Sequence, residues 1–137
     1  MRDKVTKILV VDDSAFVRAV IKDSLVSEGY DVVEASDGKQ AVEIYKEEGA
    51  DLIIMDVLMD EEDGISATKK IKEFNSAARV LICTVLENKK LVETVKEIGA
   101  EGYIQKSSWN SRDFLNYINH VITGSNDDIN DMFTQDL

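Results

Sequence analysis

The sequence predicts an α/β fold in which a doubly wound, five-stranded parallel sheet lies between helices. Short apolar runs alternate with segments whose apolar residues recur at helical spacing. Gly29, Gly49 and Gly99 each follow a helical segment and precede an apolar run, which is typical of a helix that ends before a strand. The 137 residues, 44% of them hydrophobic, suit one domain with one core.

Five strands and five helices are predicted in alternation. The strands are KILVV (7–11), DVVEA (31–35), DLIIM (51–55), RVLIC (79–83) and GYIQ (102–105). The helical repeats are Val17, Val20, Ile21 and Leu25; Ala41, Ile44 and Tyr45; Ala67, Ile71 and Phe74; Leu91, Val95 and Ile98; Leu115, Ile118 and Ile122. Such alternation favours parallel pairing through right-handed crossovers.

The apolar content of the strands predicts their order. The first, third and fourth strands each hold four consecutive apolar residues, at 8–11, 52–55 and 80–83, as expected of strands buried on both faces. The second and fifth strands suit the edges. This pattern matches the flavodoxin-like order 2-1-3-4-5, whose ligands bind beyond the carboxyl ends of the strands, near the switch point between strands 1 and 3.

Polar residues follow these strands at their carboxyl ends. Asp12 and Asp13 follow strand 1, Asp56 follows strand 3, and strands 4 and 5 run into Thr84 and Lys106. Three converging carboxylates repel one another unless a cation joins them, and Mg²⁺ binds carboxylate, water and phosphate oxygens. A hydroxyl and a lysine opposite the metal would suit a transferred phosphoryl group.

The motifs ILVVDDSAFVR (8–18), DLIIMD (51–56), LICT (81–84) and GYIQK (102–106) resemble the receiver domain of two-component response regulators. The stretch DDSAFVRAVIKDSL is most similar to chemotaxis regulators of the CheY type. The resemblance covers about residues 5 to 122. It implies a Mg²⁺ site in which Asp13 ligates directly, Asp12 acts largely through water, and the carbonyl of Leu58 completes the protein ligands.

The resemblance also implies a phosphorylation switch. Asp56 would accept a phosphoryl group from a histidine kinase or a histidine phosphotransfer protein. Thr84 and Lys106 would bind the phosphoryl oxygens, and Tyr103 would be an aromatic switch. A target protein would then bind the face formed by helix 4, strand 5 and helix 5. Such a domain catalyses only its own phosphorylation and dephosphorylation.

Three other functions share some of these sequence features. A phosphatase of the haloacid dehalogenase type would want an Asp-x-Asp pattern after strand 1, where this chain has Asp12 and Asp13 adjacent. A calcium-binding loop at MDEEDG (59–64) would need acids at alternate positions, and here Asp60 to Asp63 are consecutive. The third alternative is a receiver-like module that binds partners without being phosphorylated. It remains open, although this sequence lacks none of the residues that receivers use to accept a phosphoryl group.

Composition narrows the partners. The net charge is −11, from 27 acidic and 16 basic residues, which argues against nucleic acid or an anionic membrane surface. The single cysteine cannot form an internal disulfide, which favours a reducing compartment. There is no signal peptide, and no apolar stretch approaches the roughly 18 residues of a membrane span. We therefore expect a cytoplasmic protein.

The domain is predicted to span residues 1–123, followed by an acidic tail at 124–137. In the tail, Ile129, Met132, Phe133 and Leu137 fall on one face of a helix. A short helix within 126–136 is one interpretation, and a frayed end is the other, because an isolated helix of this length is marginal in water.

Overall fold

Strands and helices alternate throughout the computed structural model, which describes residues 6–57, 63–85, 89–106 and 111–123. The elements are β1 (Lys7–Val11), α1 (Ala15–Ser27), β2 (Asp31–Ala35), α2 (Gly38–Glu48), β3 (Leu52–Met55), α3 (Gly64–Phe74), β4 (Val80–Thr84), α4 (Lys89–Glu97), β5 (Gly102–Gln105) and α5 (Ser111–Thr123). The predicted strands are confirmed to within one residue at each end. The three glycines predicted at helix ends all have positive φ.

The strands pair in parallel in the predicted order β2-β1-β3-β4-β5. β1 pairs with both β2 and β3: the chain passes from β1 through α1 to β2 on one side, and then through α2 to β3 on the other side of β1. The strand order therefore reverses at β1, and the switch point lies beyond Val11. All residues of β3 and β4 are buried, as their apolar runs predicted.

Two clusters of buried side chains hold the helices on the sheet. One cluster packs α2, α3 and α4 against residues such as Leu9 and Ile53. The other packs α1 and α5 against the alternate residues, such as Ile8 and Ile54. Successive residues of a strand point to opposite faces, so an unbroken apolar run serves both clusters.

β5 lies at an edge of the sheet and yet is buried along its whole length. The hydroxyl of Tyr117, on α5, accepts a hydrogen bond from the Tyr103 backbone N–H at 3.1 Å. The tyrosine reaches this position because residue 102 is glycine; a Cβ there would lie only 2.8 Å from Tyr117 Cε1. Helix α5 therefore covers the strand edge that would otherwise be exposed.

Side-chain caps set the helix starts. Ser14 caps α1, Asp37 caps α2, and Asp63 caps α3 by accepting a 2.8 Å hydrogen bond from the Ser66 N–H. The last acid of the run at 60–63 thus has a structural role. The other three acids, Leu58 and the tail at 124–137 lie outside the described residues.

Three large apolar residues of α1 face outward: Phe16, Val20 and Val26. Phe16 is 78% exposed and Val20 is 48% exposed, although Val20 falls within the apolar repeat of this helix. Ile21 and Leu25 supply the buried stripe instead. Among the described helices, none is long and apolar enough to cross a bilayer.

Candidate functional site

Asp56 stands where β3 leaves the sheet. Its backbone N–H donates to the Val11 carbonyl at 3.0 Å, which extends the pairing of β3 with β1 by one residue. The residue is only 7% exposed. Behind it, the Gly64 N–H donates to the Val57 carbonyl at 3.0 Å, and a Cβ at Gly64 would overlap the Asp56 carbonyl group. The start of α3 therefore packs directly against the main chain of Asp56.

Asp12 is buried, and the structure gives partners to both its backbone and its carboxylate. Its N–H donates to the Ala35 carbonyl at 3.2 Å, and its own carbonyl accepts from Arg18 Nη1 at 2.6 Å. Its Oδ1 accepts from the Ser14 N–H at 2.9 Å, and its Oδ2 accepts from Lys106 Nζ. These contacts fix Asp12 firmly at the end of β1.

The carboxylates of Asp12, Asp13 and Asp56 converge, with one oxygen of each lying within 4.8 Å of the others. Asp13 is exposed, whereas the other two are buried, so the cluster opens to solvent on the side of Asp13. Lys106 Nζ contacts Asp12 Oδ2 and lies 3.5 Å from Asp56 Oδ2. The sequence prediction that these four residues meet at one edge of the sheet agrees with this geometry.

Burial acts to lower the pKa of Lys106, but the hydrogen bond to Asp12 and the negative charges of Asp56 and Asp12 outweigh it. The net effect is a pKa above the ordinary value for lysine. Lys106 is therefore an ammonium ion at neutral pH.

The donor set suits a hard divalent cation. Three carboxylates face one ammonium group in this cluster, and clustered carboxylate oxygens are the ligands that Mg²⁺ and Ca²⁺ prefer. The open side at Asp13 leaves room for water or phosphate oxygens to complete the coordination. The cluster can thus hold a metal ion beside a buried carboxylate.

Thr84 and Tyr103 lie on the two strands beyond β3. Tyr103 pairs with Ile82 and Thr84 pairs with Gln105, so Thr84 and Tyr103 point to the same face of the sheet. Thr84 ends β4 at the carboxyl edge, and Tyr103 packs inside the core cluster that includes Val92 and Val95 of α4. Both residues are fully buried.

Three residues that touch this site were not identified from the sequence. Arg18 donates to the Asp12 carbonyl, Glu34 holds Arg18, and Gly64 packs on Asp56. An Asp-Gly pair before a helical repeat is a detectable signal for a tight helix start. The Arg18–Glu34 pair joins residues sixteen positions apart on different elements, so no local pattern marks it.

Comparison with known proteins agrees with this geometry. The family model of the response regulator receiver domain matches residues 8–119. The chain is 46% identical over 101 residues to the chemotaxis protein CheY of Bacillus subtilis, covering 73% of this chain and 84% of the relative. It is 37% identical over 107 residues to CheY of Thermotoga maritima, covering 77% of this chain and 89% of the relative.

A solved structure shows the same similarity. The structure of a CheX–CheY–BeF₃–Mg²⁺ complex from Borrelia burgdorferi aligns with a TM-score of 0.81 at 31% identity, covering 85% of this chain and 88% of that one. The chain therefore belongs to the response regulator receiver domains, and within them to the CheY type.

Proposed function

We propose that this signalling domain is switched by phosphorylation of Asp56, with Mg²⁺ bound by Asp12, Asp13 and Asp56. The observation that carries the proposal is the convergence of these carboxylates within 4.8 Å, with Lys106 Nζ beside them. The family resemblance assigns the acceptor role to Asp56, and the placement supports it: the carboxylate lies at the end of the central strand β3, 3.5 Å from Lys106 Nζ. The Leu58 carbonyl is the further ligand that the family resemblance supplies.

The reaction is a direct phosphoryl transfer. A carboxylate oxygen of Asp56 attacks the phosphorus of a phosphohistidine on a histidine kinase or phosphotransfer protein. The P–N bond breaks, and the imidazole leaves with the electron pair. Mg²⁺, when bound, neutralises charge on the phosphoryl oxygens.

Lys106 stabilises the same oxygens from the opposite side. Its raised pKa keeps the ammonium charged, and it exchanges its contact with the aspartates for contacts with the phosphoryl group. The domain thereby catalyses its own phosphorylation, and water that reaches the acyl phosphate reverses it.

Thr84 and Tyr103 transmit the conformational change caused by phosphorylation to the face formed by α4, β5 and α5. Support comes from their placement: both side chains lie on one face of the sheet, and Tyr103 packs under Val92 and Val95 of α4. When the Thr84 hydroxyl binds a phosphoryl oxygen, the packing of Tyr103 changes, and a target protein reads the altered surface. The CheY relatives are named chemotaxis proteins, so we propose chemotaxis as the process.

The test is intact mass spectrometry after incubation with acetyl phosphate and Mg²⁺. We expect one phosphoryl group on the wild type and none on Asp56→Asn. The matched control is Asp51→Asn, because Asp51 precedes β3 just as Asp56 follows it, at the opposite end of the strand. Asp51→Asn should be phosphorylated like the wild type.

Two outcomes would contradict the proposal. Phosphorylation of Asp56→Asn at the wild-type rate would show that another residue is the acceptor. A wild type that is modified neither by acetyl phosphate nor by any phosphorylated histidine protein would favour the alternative of a binding module that is not regulated by phosphorylation.

A further inference from the structure

The carbonyl of Asp12 is held by a side chain from the helix that follows it. Arg18, on α1, donates from Nη1 to the Asp12 carbonyl at 2.6 Å and from Nε to Glu34 Oε1, on β2, at 3.0 Å. The guanidinium group is planar, so holding its Nε edge on Glu34 fixes the direction in which Nη1 points. Lys22 contacts the other oxygen of Glu34 at 3.4 Å and, within the part of the chain that the structure describes, makes no ion pair with Asp12.

This contact has a consequence for the next residue. The Asp12 carbonyl belongs to the peptide unit that joins Asp12 to Asp13, and a peptide unit is planar. Fixing the carbonyl oxygen therefore fixes the direction in which the chain enters Asp13. The side chain of Asp13 is exposed, so packing contributes little to its orientation.

We propose that Arg18, braced by Glu34, is a positioning residue that sets the plane of the Asp12–Asp13 peptide and so aims Asp13 at the Mg²⁺ shared with Asp56. The inference rests on the proposed function. It assigns a role to a contact outside the carboxylate–lysine cluster itself.

The charge of Arg18 and its proposed positioning role predict opposite changes in Mg²⁺ affinity when the side chain is removed. A positive guanidinium near a cation site repels Mg²⁺, so by Coulomb's law alone its removal should tighten Mg²⁺ binding. If the side chain positions Asp13, its removal should weaken binding. The sign of the change in Mg²⁺ affinity therefore separates the two effects.

The experiment measures the Mg²⁺ dissociation constant of the full chain by isothermal titration calorimetry, without any phosphodonor. We expect Arg18→Gln to raise the constant about tenfold, which is the effect usual for groups that orient metal ligands. Lys22→Gln is the matched control: it removes a cation from the same helix and the same glutamate, and it should leave the constant unchanged or slightly lower. In spectra of the metal-free protein, the Asp13 amide resonance should move in Arg18→Gln and stay in Lys22→Gln.

Arg18→Lys guards against a folding defect. It keeps the charge and the helix but cannot hold Asp12 and Glu34 together in a fixed plane, so it too should weaken Mg²⁺ binding. Unchanged or tighter binding in Arg18→Gln would overturn the inference. So would equal weakening by Lys22→Gln, or wild-type binding in Arg18→Lys. A wild type that binds no Mg²⁺ would instead overturn the proposed metal site, and this inference with it.

Discussion

Replacing Gly64 with alanine should slow phosphorylation, because the added methyl group would displace the main chain of Asp56. The new Cβ would lie 2.0 Å from the Asp56 carbonyl oxygen, 2.8 Å from the carbonyl carbon and 2.9 Å from Met55 Cγ. Real Cβ atoms essentially never come closer than 3.0 Å to such a neighbour, so a shift of at least about 1 Å is needed to relieve the contact with the oxygen. Met55 can turn its side chain away, but the other neighbour is the main chain of Asp56, the proposed phosphorylation site.

The expected magnitudes follow from this overlap. Overpacking costs about 1–3 kcal/mol, and an alanine in place of glycine returns up to about 1 kcal/mol through helix propensity. The net loss in the free energy of unfolding should therefore not exceed about 3 kcal/mol. A displacement near 1 Å at a reacting group can cost about 100-fold in rate, so phosphorylation should slow by roughly ten- to a hundredfold.

The assay compares initial rates of phosphorylation by acetyl phosphate at saturating Mg²⁺, with urea unfolding measured in parallel. Asp63→Ala is the control: it removes the cap of the same helix, at a cost of about 1 kcal/mol, without placing an atom against Asp56. It should lose stability and keep its rate. If Gly64→Ala kept the wild-type rate within twofold, the argument that this close packing positions Asp56 would be wrong.

Three further predictions concern the rest of the fold. Tyr117→Phe removes the hydroxyl that accepts a hydrogen bond from the Tyr103 N–H, so it should lower the free energy of unfolding, measured by urea titration, by about 1–2 kcal/mol. Hydrogen exchange of the Tyr103 amide should also become faster. Unchanged exchange would show that the hydroxyl does not protect β5. Arg79→Ala removes donors to the carbonyls of Val121 and Ile122, so the last turn of α5 should show faster hydrogen exchange, while α2 serves as the unaffected reference. The hydrogen bond from Arg18 lowers the pKa of Glu34 below its ordinary value of 4.5, and this effect exceeds the opposing effect of burial. The hydrogen bond from Lys22 lowers the same pKa further. A carboxylate whose pKa is lowered on folding contributes stability that is present above pH 4.5 and is lost as the pH falls. Glu34→Gln should therefore make the free energy of unfolding depend less on pH on the acid side. An NMR titration of Glu34 in Arg18→Gln should give a higher pKa than in the wild type.

The strands and their order were predictable because parallel strands buried on both faces need unbroken apolar runs. The runs at 8–11, 52–55 and 80–83 provided that signal, and the sheet confirms it. The meeting of Asp12, Asp13, Asp56 and Lys106 was predictable for a related reason. Each follows a strand directly, and the topology brings the carboxyl ends of those strands to one edge.

Other contacts could not be predicted, because they depend on how the elements pack. The apolar spacing of α1 did not show that Val20 faces outward, since Phe16 and Val20 form a second apolar stripe on the same helix. The Arg18–Glu34 pair depends on the distance between α1 and β2 after folding. The closure of β5 by Tyr117 depends on a glycine whose role appears only when α5 lies against the strand.

That closure limits how this protein can recognise others. A partner peptide can join a sheet by adding a strand to an open edge, which binds mainly through backbone groups and tolerates many sequences. At Tyr103 the N–H donates to the Tyr117 hydroxyl, which also lies 3.4 Å from the Tyr103 carbonyl, so both backbone groups of Tyr103 are already engaged. A partner that approaches β5 at Tyr103 must therefore bind through side-chain contacts, and loss of the Tyr117 hydroxyl would leave two backbone groups there available to another strand.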